Sequence, residues 1–351
     1  MINIKNHLVS TGKIVDVLLK EKAELLWDHL NPHAKKSTII TDAGNFLAQV
    51  KSSDHEKKYT KAAALRHIGF MQHLTKKDKL KEIITAEPKD LEKLSKQLGA
   101  LLTPVDYKSP FNNKKIVSFS ELLLLKVFKY TKYRNSDFCS KLYVDLNFLQ
   151  ATCPYCNEYP VKIVQNLRKG SKKPILHFDL DHFYAKSQHP YFAISFYNHI
   201  PSCKYCNSLH KGTAPFDINT HIHPYIESFD NHYVFKYSHK AIIGEAVSDV
   251  AIKKTSNVND ELCSALGLEE RYKTNLGYAN INRLIEMLTD HSQILAEKSV
   301  NNEKELTLLK ERLIDFGLQL DGNKILEKPW SKMQRDLVKF IDIHNQLKLE
   351  N

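Results

Sequence analysis

Two pairs of cysteines constrain this chain more than any other feature of its sequence. Residues Cys153 to Cys156 and Cys203 to Cys206 each form a CxxC unit, and 46 residues separate the two units. A CxxC unit can turn tightly and present two thiolates, so the two units together supply the tetrahedral sulfur set that Zn²⁺ prefers. Because four thiolates leave no open position for water or substrate, we expect this zinc to be structural.

Two other interpretations of these cysteines remain open on the sequence alone. The four residues could be buried free cysteines, or one pair could be a redox site, although no thioredoxin-like βαβ pattern surrounds either pair. The remaining cysteines, Cys139 and Cys263, stand alone, and we expect them to be small core residues.

The expected cellular compartment follows from the absence of targeting and membrane-spanning patterns in this sequence. It has no signal peptide at its start and no run of the roughly 20 apolar residues that a membrane helix needs. We therefore expect a cytoplasmic protein without membrane contact, in which the thiols stay reduced and available to a metal.

Helical periodicity dominates both ends of the chain. Apolar positions recur at helical spacing in residues 14–30, 62–74, 91–102 and 119–130, and again in residues 281–296, 303–316 and 330–347. Between these regions the sequence is rich in aromatic residues, histidine and proline, with a β-prone run at 175–183. We predict a mainly α, α+β chain with three regions, a helical one at 1–150, a core at 151–240 and a second helical one at 241–351.

The charge balance indicates the kind of partner. Lysine and arginine number 51 against 40 acidic residues, which gives a formal net charge of +11. This excess favours a polyanion such as nucleic acid, but solvated lysines alone could account for it. The motifs must therefore decide the function.

A group of acidic, histidine and amide residues lies between the cysteine pairs. Asp181 and His182 lie near the end of the β-prone run, Asn198 comes 16 residues after His182, and Asn207 directly follows the last paired cysteine. This stretch resembles the signature of HNH endonucleases, in which a strand ends in Asp-His, a loop leads to an Asn, and a CxxCN knuckle opens the metal-binding helix. The resemblance covers about residues 153–212, and residues 223–225 and Phe229 are similar to the sequence that follows this motif in bacterial members.

The resemblance implies a ββα-metal core and a role for each residue of the motif. His182 would be the general base, since an imidazole can take a proton from water near neutral pH. Asp181 and Asn207 would hold a catalytic Mg²⁺ or Mn²⁺, which prefers oxygen ligands. Asn198 would tie the loop and orient the His182 ring.

Neighbouring residues are secondary candidates. His210 and Lys211 lie three and four residues after Asn207, on about the same helix face, so His210 could contact the metal and Lys211 the substrate phosphate. Asp179 is a rival to Asp181, because residues two apart on a strand share a face. Ala185 departs from the family pattern, in which a proline is common, and this puts the loop geometry in doubt.

The substrate and the partners are the least constrained expectations. A basic turn just before the strand could grip a phosphate backbone through Arg168, Lys169, Lys172 and Lys173. We expect DNA as the substrate. The similarity to bacterial anti-phage HNH proteins, including the nuclease of the Septu type, implies an ATPase partner, and the helical flanks could equally form a homodimer. The alternatives are a non-catalytic nucleic-acid-binding module, an RNA-cleaving nuclease and a structural scaffold.

Overall fold

Helices make up most of the molecule on both sides of residues 151–240. The structure is a computed structural model and describes residues 2–33, 37–112, 115–165, 174–277, 279–296 and 303–350. The α-helices of the first region are α1 (Ile4–Val9), α2 (Val15–Leu30), α3 (Ile39–Val50), α4 (Ser53–Lys58), α5 (Lys61–Leu74), α6 (Lys77–Thr85), α7 (Pro88–Gly99), α8 (Phe119–Leu123), α9 (Tyr130–Arg134) and α10 (Asp137–Asp145). Those of the last region are α11 (Leu262–Ala265), α12 (Leu268–Thr274), α13 (Ile281–Thr289), α14 (Ser292–Ala296), α15 (Glu303–Phe316) and α16 (Ser331–Ile341). None of the helices in the described ranges combines the length and the apolar character needed to cross a bilayer.

Serine and threonine residues determine where several helices begin. The side-chain oxygens of Thr38, Ser52, Thr60, Ser118 and Ser136 each accept a hydrogen bond from the backbone N–H three residues further on. Each bond satisfies one of the N–H groups that a helix start leaves unpaired, a contribution of about 1 kcal/mol. These caps open α3, α4, α5, α8 and α10.

The helical periodicity predicted some helices closely and missed a break in another. The predictions for residues 14–30, 62–74 and 303–316 correspond to α2, α5 and α15. The prediction of one helix over 119–130 is wrong, because α8 gives way to a π-helix over Leu124–Phe128. Lys129 then adopts a left-handed conformation with φ of 45°, and α9 begins at the next residue in a new direction.

The described strands form small antiparallel sheets. One sheet has the order β1 (Gln150–Thr152), β2 (Pro160–Gln165) and β3 (Pro174–Leu176). A second pairs β4 (Asp179–His182) with β5 (His199–Ser202), and a third pairs β6 (Tyr233–Tyr237) with β7 (Val250–Lys254). The β-prone run at 175–183 therefore contributes to two sheets. The fold is α+β and mainly helical, as predicted.

The β4–β5 hairpin and the segment after it position the candidate site. Asp181 pairs with Ile200 and His182 with His199 at the end of the hairpin. The chain then passes through Cys203 into a π-helix over Tyr205–Lys211, in which the N–H of Gly212 donates to the carbonyl of Asn207 at 2.8 Å, five residues back. Two antiparallel strands and one helical segment therefore follow one another through residues 179–211.

One hydrophobic cluster extends from α1 to the last described residues. Backbone hydrogen bonds join both helical regions to the first cysteine pair and the residue after it: Ile2 N–H donates to Pro154 O at 2.7 Å, and Trp330 N–H donates to Asn157 O at 2.7 Å. Both helical regions therefore pack on the segment that holds this pair. The region boundaries at 150 and 240 stay predictions.

A buried polar chain links α4 and α5 to the turn at Pro104–Tyr107. His55 Nε2 lies 2.9 Å from His67 Nδ1, and His67 Nε2 lies 3.0 Å from Asp106 Oδ1. Because a carboxylate accepts, His67 Nε2 carries the proton and His67 Nδ1 accepts from His55. Burial lowers the pKa of His55 to about 4 and also lowers the pKa of His67, so both rings are neutral near pH 7.

We predict that acid destabilises the protein partly through His55. Its pKa is about 4 in the folded chain, against the ordinary histidine value of 6.5, so the unfolded chain binds more protons between these values. The free energy of unfolding in urea should fall as the pH drops from about 6.5 towards 4. His55→Gln, whose amide can still donate to His67, should show a shallower fall, whereas the exposed control His33→Gln should keep the full one. Equal pH dependence in all three proteins would contradict this assignment.

Candidate active site and metal centre

The four paired cysteines meet at one point in the structure. Cys153 follows β1, Cys203 follows β5, and Cys206 lies in the π-helix. Their sulfur atoms and that of Cys156 all lie within 4.8 Å of one another, and all four residues are buried. Cys156 and Cys203, one from each pair, have their sulfurs 3.9 Å apart. This cluster can bind a metal ion such as zinc.

Local hydrogen bonds shape each cysteine pair into a knuckle. In the first pair, the N–H of Asn157 donates to the carbonyl of Cys153 at 2.7 Å, and Asn157 has a φ of 50°, a left-handed conformation that asparagine tolerates. In the second pair, the N–H of Cys206 donates to the Cys203 sulfur at 3.4 Å. The CxxC spacing thus produces the tight turns that the sequence predicted.

A cation from the last region faces the cysteine cluster. Arg271 of α12 donates to the Cys206 sulfur at 3.4 Å and to Glu158 at 2.6 Å. Burial opposes a thiolate at Cys156, but hydrogen bonds from the other three cysteines and the charge of Arg271 lower its pKa well below the usual value. The surroundings therefore favour the charged form at Cys156, whereas the pKa values of Cys153 and Cys206 are raised well above the usual value by burial and by hydrogen bonds with neighbouring cysteines. Cys139 is fully buried in the core, and Cys263 is partly buried.

A cavity of about 410 Å³ opens at the end of the hairpin, beside the π-helix. Its walls include Asp179, Asp181 and His182 from β4, Asn207 from the π-helix, and Tyr130 and Arg134 from α9. Asp181 and His182 are adjacent on a strand, where side chains normally alternate, yet both line this cavity. The structure therefore brings together three of the predicted site residues, together with the rival Asp179.

His182 is held in one tautomer. Its Nε2 lies 3.0 Å from the carbonyl oxygen of Ala193, which can only accept, so Nε2 carries the proton and Nδ1 keeps a lone pair in the neutral ring. The Tyr130 ring packs edge-on against it at 4.5 Å between centroids. Burial, together with the nearby His199 ring, holds the pKa of His182 well below its usual value. The ring is therefore neutral near pH 7 and keeps its lone pair on Nδ1.

Asp181 is engaged by an internal ion pair. Lys211 Nζ donates to both carboxylate oxygens of Asp181, at 2.8 and 2.7 Å, and the Tyr155 hydroxyl donates to Oδ2 at 2.7 Å. Lys211 is 3% exposed and also donates to the carbonyl of His182. The Lys211 ammonium thus faces inward and is matched in charge by Asp181, so this geometry does not support the prediction that it contacts substrate phosphate.

Asn207 contacts the other aspartate of the strand. Its Nδ2 donates to Asp179 Oδ2 at 2.9 Å, and Ser208 Oγ donates to the same oxygen at 3.4 Å. Asp179 is half-buried and carries no lysine partner among the described residues. We expected Asn207 to share a metal site with Asp181, but in the structure it contacts Asp179. The two aspartates lie on the same face of β4, and the π-helix brings Lys211 to Asp181, the more buried of the two.

Asn198 ties the loop between the two strands. Its Nδ2 donates to the carbonyls of Tyr184 and Phe192, both at 3.1 Å, and its Oδ1 accepts from Tyr184 N–H at 2.7 Å. Asn198 is fully buried and makes no hydrogen bond with the His182 ring within the described chain. Its effect on His182 is indirect, because Phe192 precedes Ala193, whose carbonyl accepts from that ring.

The remaining sequence candidates lie elsewhere. His210 packs beside Gly267, with its Cε1 3.4 Å from the position a Cβ would take there, and the Arg271 charge contributes to lowering its pKa. This histidine faces the last region and is not among the residues that line the cavity, so the geometry does not support the prediction of a metal contact. The basic turn with Arg168, Lys169, Lys172 and Lys173 lies outside the described residues.

Residues that the sequence did not single out complete the cavity. Tyr130 donates its hydroxyl to the carbonyl of Leu180 at 3.2 Å, across 50 residues of sequence, and Arg134 donates to the carbonyl of Phe178. Lys186 Nζ lies 4.6 Å from the centre of the Tyr130 ring. Only the tertiary fold brings these groups to the motif, so no local sequence signal could have identified them.

Comparison with models of known protein families gave no match, and comparisons with curated proteins and with solved structures gave none either.

Removal of one cysteine ligand tests the metal centre. We predict that purified wild type carries about one tightly bound zinc per chain, and that Cys203→Ser loses the metal and unfolds at a lower temperature because metal binding contributes to folding. Elemental analysis and thermal unfolding measure both effects. Cys263→Ser, which lies outside the cluster, should match the wild type, and retention of zinc by Cys203→Ser would contradict the assignment.

Loss of the buried lysine should destabilise the fold. Lys211→Met leaves the Asp181 charge buried without its partner, which should cost about 3–5 kcal/mol of unfolding free energy. Lys204→Met, on an exposed lysine just before the same helix, should cost little, and Asp181→Asn combined with Lys211→Met should recover part of the loss. A stable Lys211→Met single variant would indicate that the ion pair is not needed for the fold.

Proposed function

We propose that this chain is a metal-dependent HNH endonuclease that hydrolyses phosphodiester bonds of nucleic acid. The observation that supports this best is the cavity in which a neutral histidine with a lone pair on Nδ1 shares the walls with two carboxylates and an amide. Such a set can take a proton from water and hold a cation beside it, which are the two needs of phosphodiester hydrolysis.

The donor atoms of the cavity fit a hard divalent cation. Asp179, Asp181 and Asn207 offer oxygen ligands, which Mg²⁺ and Mn²⁺ prefer. Because both oxygens of Asp181 already accept from Lys211, we infer that Asp179 and Asn207 would hold the cation. Asp181 would support the site through its ion pair with Lys211. Such a cation would supply Lewis-acid stabilisation of the charge that develops on the phosphate.

The four cysteines fit a different metal. Sulfur ligands in a closed tetrahedral set favour Zn²⁺, and such a set has no open position for water. We infer that zinc there is structural and that it fixes the ends of the segment that carries the site. Two metals with two roles then lie in one stretch of chain.

The chain's own residues would divide the reaction between them. His182 would remove the proton from the attacking water through Nδ1, while the Ala193 carbonyl keeps the opposite nitrogen protonated. Lys186 and Arg134 line the cavity and bring positive charge to the place that a phosphate would occupy. Asn198 would keep the loop, and with it the Ala193 carbonyl, in position.

The substrate and the setting rest on charge and on resemblance. The net charge of +11 suits a nucleic acid, and we propose DNA as the substrate. A role in anti-phage defence, an ATPase partner, a homodimer and a cytoplasmic location follow from the resemblance and from the use of reduced cysteines, and they are proposals of the same kind.

The decisive experiment compares the wild type with His182→Ala on supercoiled plasmid, single-stranded DNA and RNA, each with Mg²⁺, Mn²⁺ or no added divalent cation. We predict nicking that requires the added cation and falls by at least about 100-fold in His182→Ala, since that is the lower range for loss of a general base. His33→Ala, which removes an exposed histidine, should retain wild-type activity. Equal cleavage by wild type and His182→Ala would place the activity elsewhere, and a folded, zinc-loaded wild type that cuts nothing would favour a binding module.

A further inference from the structure

A second cavity of about 300 Å³ lies directly beside the candidate active site. Tyr130 and Lys186 line both cavities, so the two are joined through these side chains. The outer cavity is otherwise lined by residues 124–132 of the first region, among them Leu125 and Lys132. It is an extension of the site that is built by a part of the chain outside the HNH-like motif.

The break between α8 and α9 gives this outer cavity its form. The N–H of Lys129 donates to the carbonyl of Leu124 at 2.8 Å, five residues back, and its φ of 45° then redirects the chain. In this geometry Leu125 is left 58% exposed, although leucines in helices normally pack inward. The left-handed backbone of Lys129 costs stability, which a site for a ligand would justify.

The charges around the outer cavity all have one sign. Lys129, Lys132 and Lys186 line it, and none of its described lining residues is acidic. Lys129 is paired with Asp42 at 2.6 Å, whereas Lys132 and Lys186 form no ion pair with any described residue. The Lys186 ammonium lies over the Tyr130 ring instead. Two ammonium groups beside the apolar side chain of Leu125 and the ring of Tyr130 are complementary to a ligand that carries phosphates and flat apolar faces.

We propose that this outer cavity, lined by Leu125, Tyr130, Lys132 and Lys186, binds a single-stranded DNA segment next to the bond that is cut. This inference rests on the proposed nuclease function and adds the form of its substrate. Lys132 and Lys186 would contact phosphates, and an unstacked base would lie on Leu125. In a duplex the faces of the bases are stacked on one another, so a base could not lie on Leu125.

The experiment measures binding rather than cleavage. The full chain with His182→Ala, without added divalent cation, is titrated into a labelled single-stranded DNA, its duplex and an RNA of the same sequence, and anisotropy is followed at several salt concentrations. Lys132→Gln should weaken single-strand binding and reduce the slope of log K against log salt by about 0.7, the contribution of one phosphate contact. Leu125→Ser should weaken single-strand binding with the slope unchanged, and should leave duplex binding as it was.

Matched variants control for unspecific effects. Lys141→Gln on α10 removes an exposed lysine, and Leu65→Ser on α5 removes a leucine that is 62% exposed, so both should bind as the parent does. All variants should unfold at the parent's temperature, because the substituted side chains are exposed.

The outcomes separate this inference from the nuclease proposal. Suppose that the parent binds DNA and the wild type cuts it, but Lys132→Gln and Leu125→Ser bind as the parent does. This result would overturn the proposal that the outer cavity binds DNA, and it would leave the nuclease proposal standing. Equal weakening of duplex and single strand by Leu125→Ser would overturn the preference for single strands, and tighter RNA binding with the same dependence on both residues would reassign the ligand to RNA. A parent that binds no nucleic acid would contradict both proposals.

Discussion

The convergence of four cysteine sulfurs within 4.8 Å is the constraint on which the rest of the structure depends. The two pairs fix both ends of the segment that contains the β4–β5 hairpin, and each end of the chain is hydrogen-bonded to the first pair or to its flank. Arg271 adds a cation beside the sulfurs from the last helical region. Four buried thiolates would repel one another strongly, so a divalent cation bound at this point would stabilise the local turns and the packing of the three regions.

The cysteine cluster also determines the geometry of the cavity through its immediate neighbours in sequence. Tyr155 lies inside the first CxxC unit and donates to Asp181, and Asn207 directly follows the last cysteine and donates to Asp179. A shift of either knuckle would therefore move a group that holds one of the two carboxylates. The cysteine cluster and the two carboxylates of the cavity are thus connected through two side chains.

Local signals in the sequence predicted part of this arrangement, and non-local packing decided the remainder. The CxxC spacing was enough to predict the tight turn of each cysteine pair, and helical periodicity was enough for α2, α5 and α15, because each depends on neighbours within a few residues. The pairing of Lys211 with Asp181 was not predictable, because it depends on a π-helix that changes which side chains share a face. Tyr130 and Arg134 reach the cavity from α9, which only the tertiary fold places there.

We propose that the cysteines and the cavity hold two chemically different metals. Crystals of the wild-type protein grown with zinc and soaked in Mn²⁺ would separate them by anomalous diffraction at the absorption edges of the two elements. We predict zinc at the centre of the four sulfurs and manganese against Asp179 and Asn207, with Lys211 still bound to Asp181. Manganese at no position in the cavity, or cysteines without zinc in a folded chain, would contradict it.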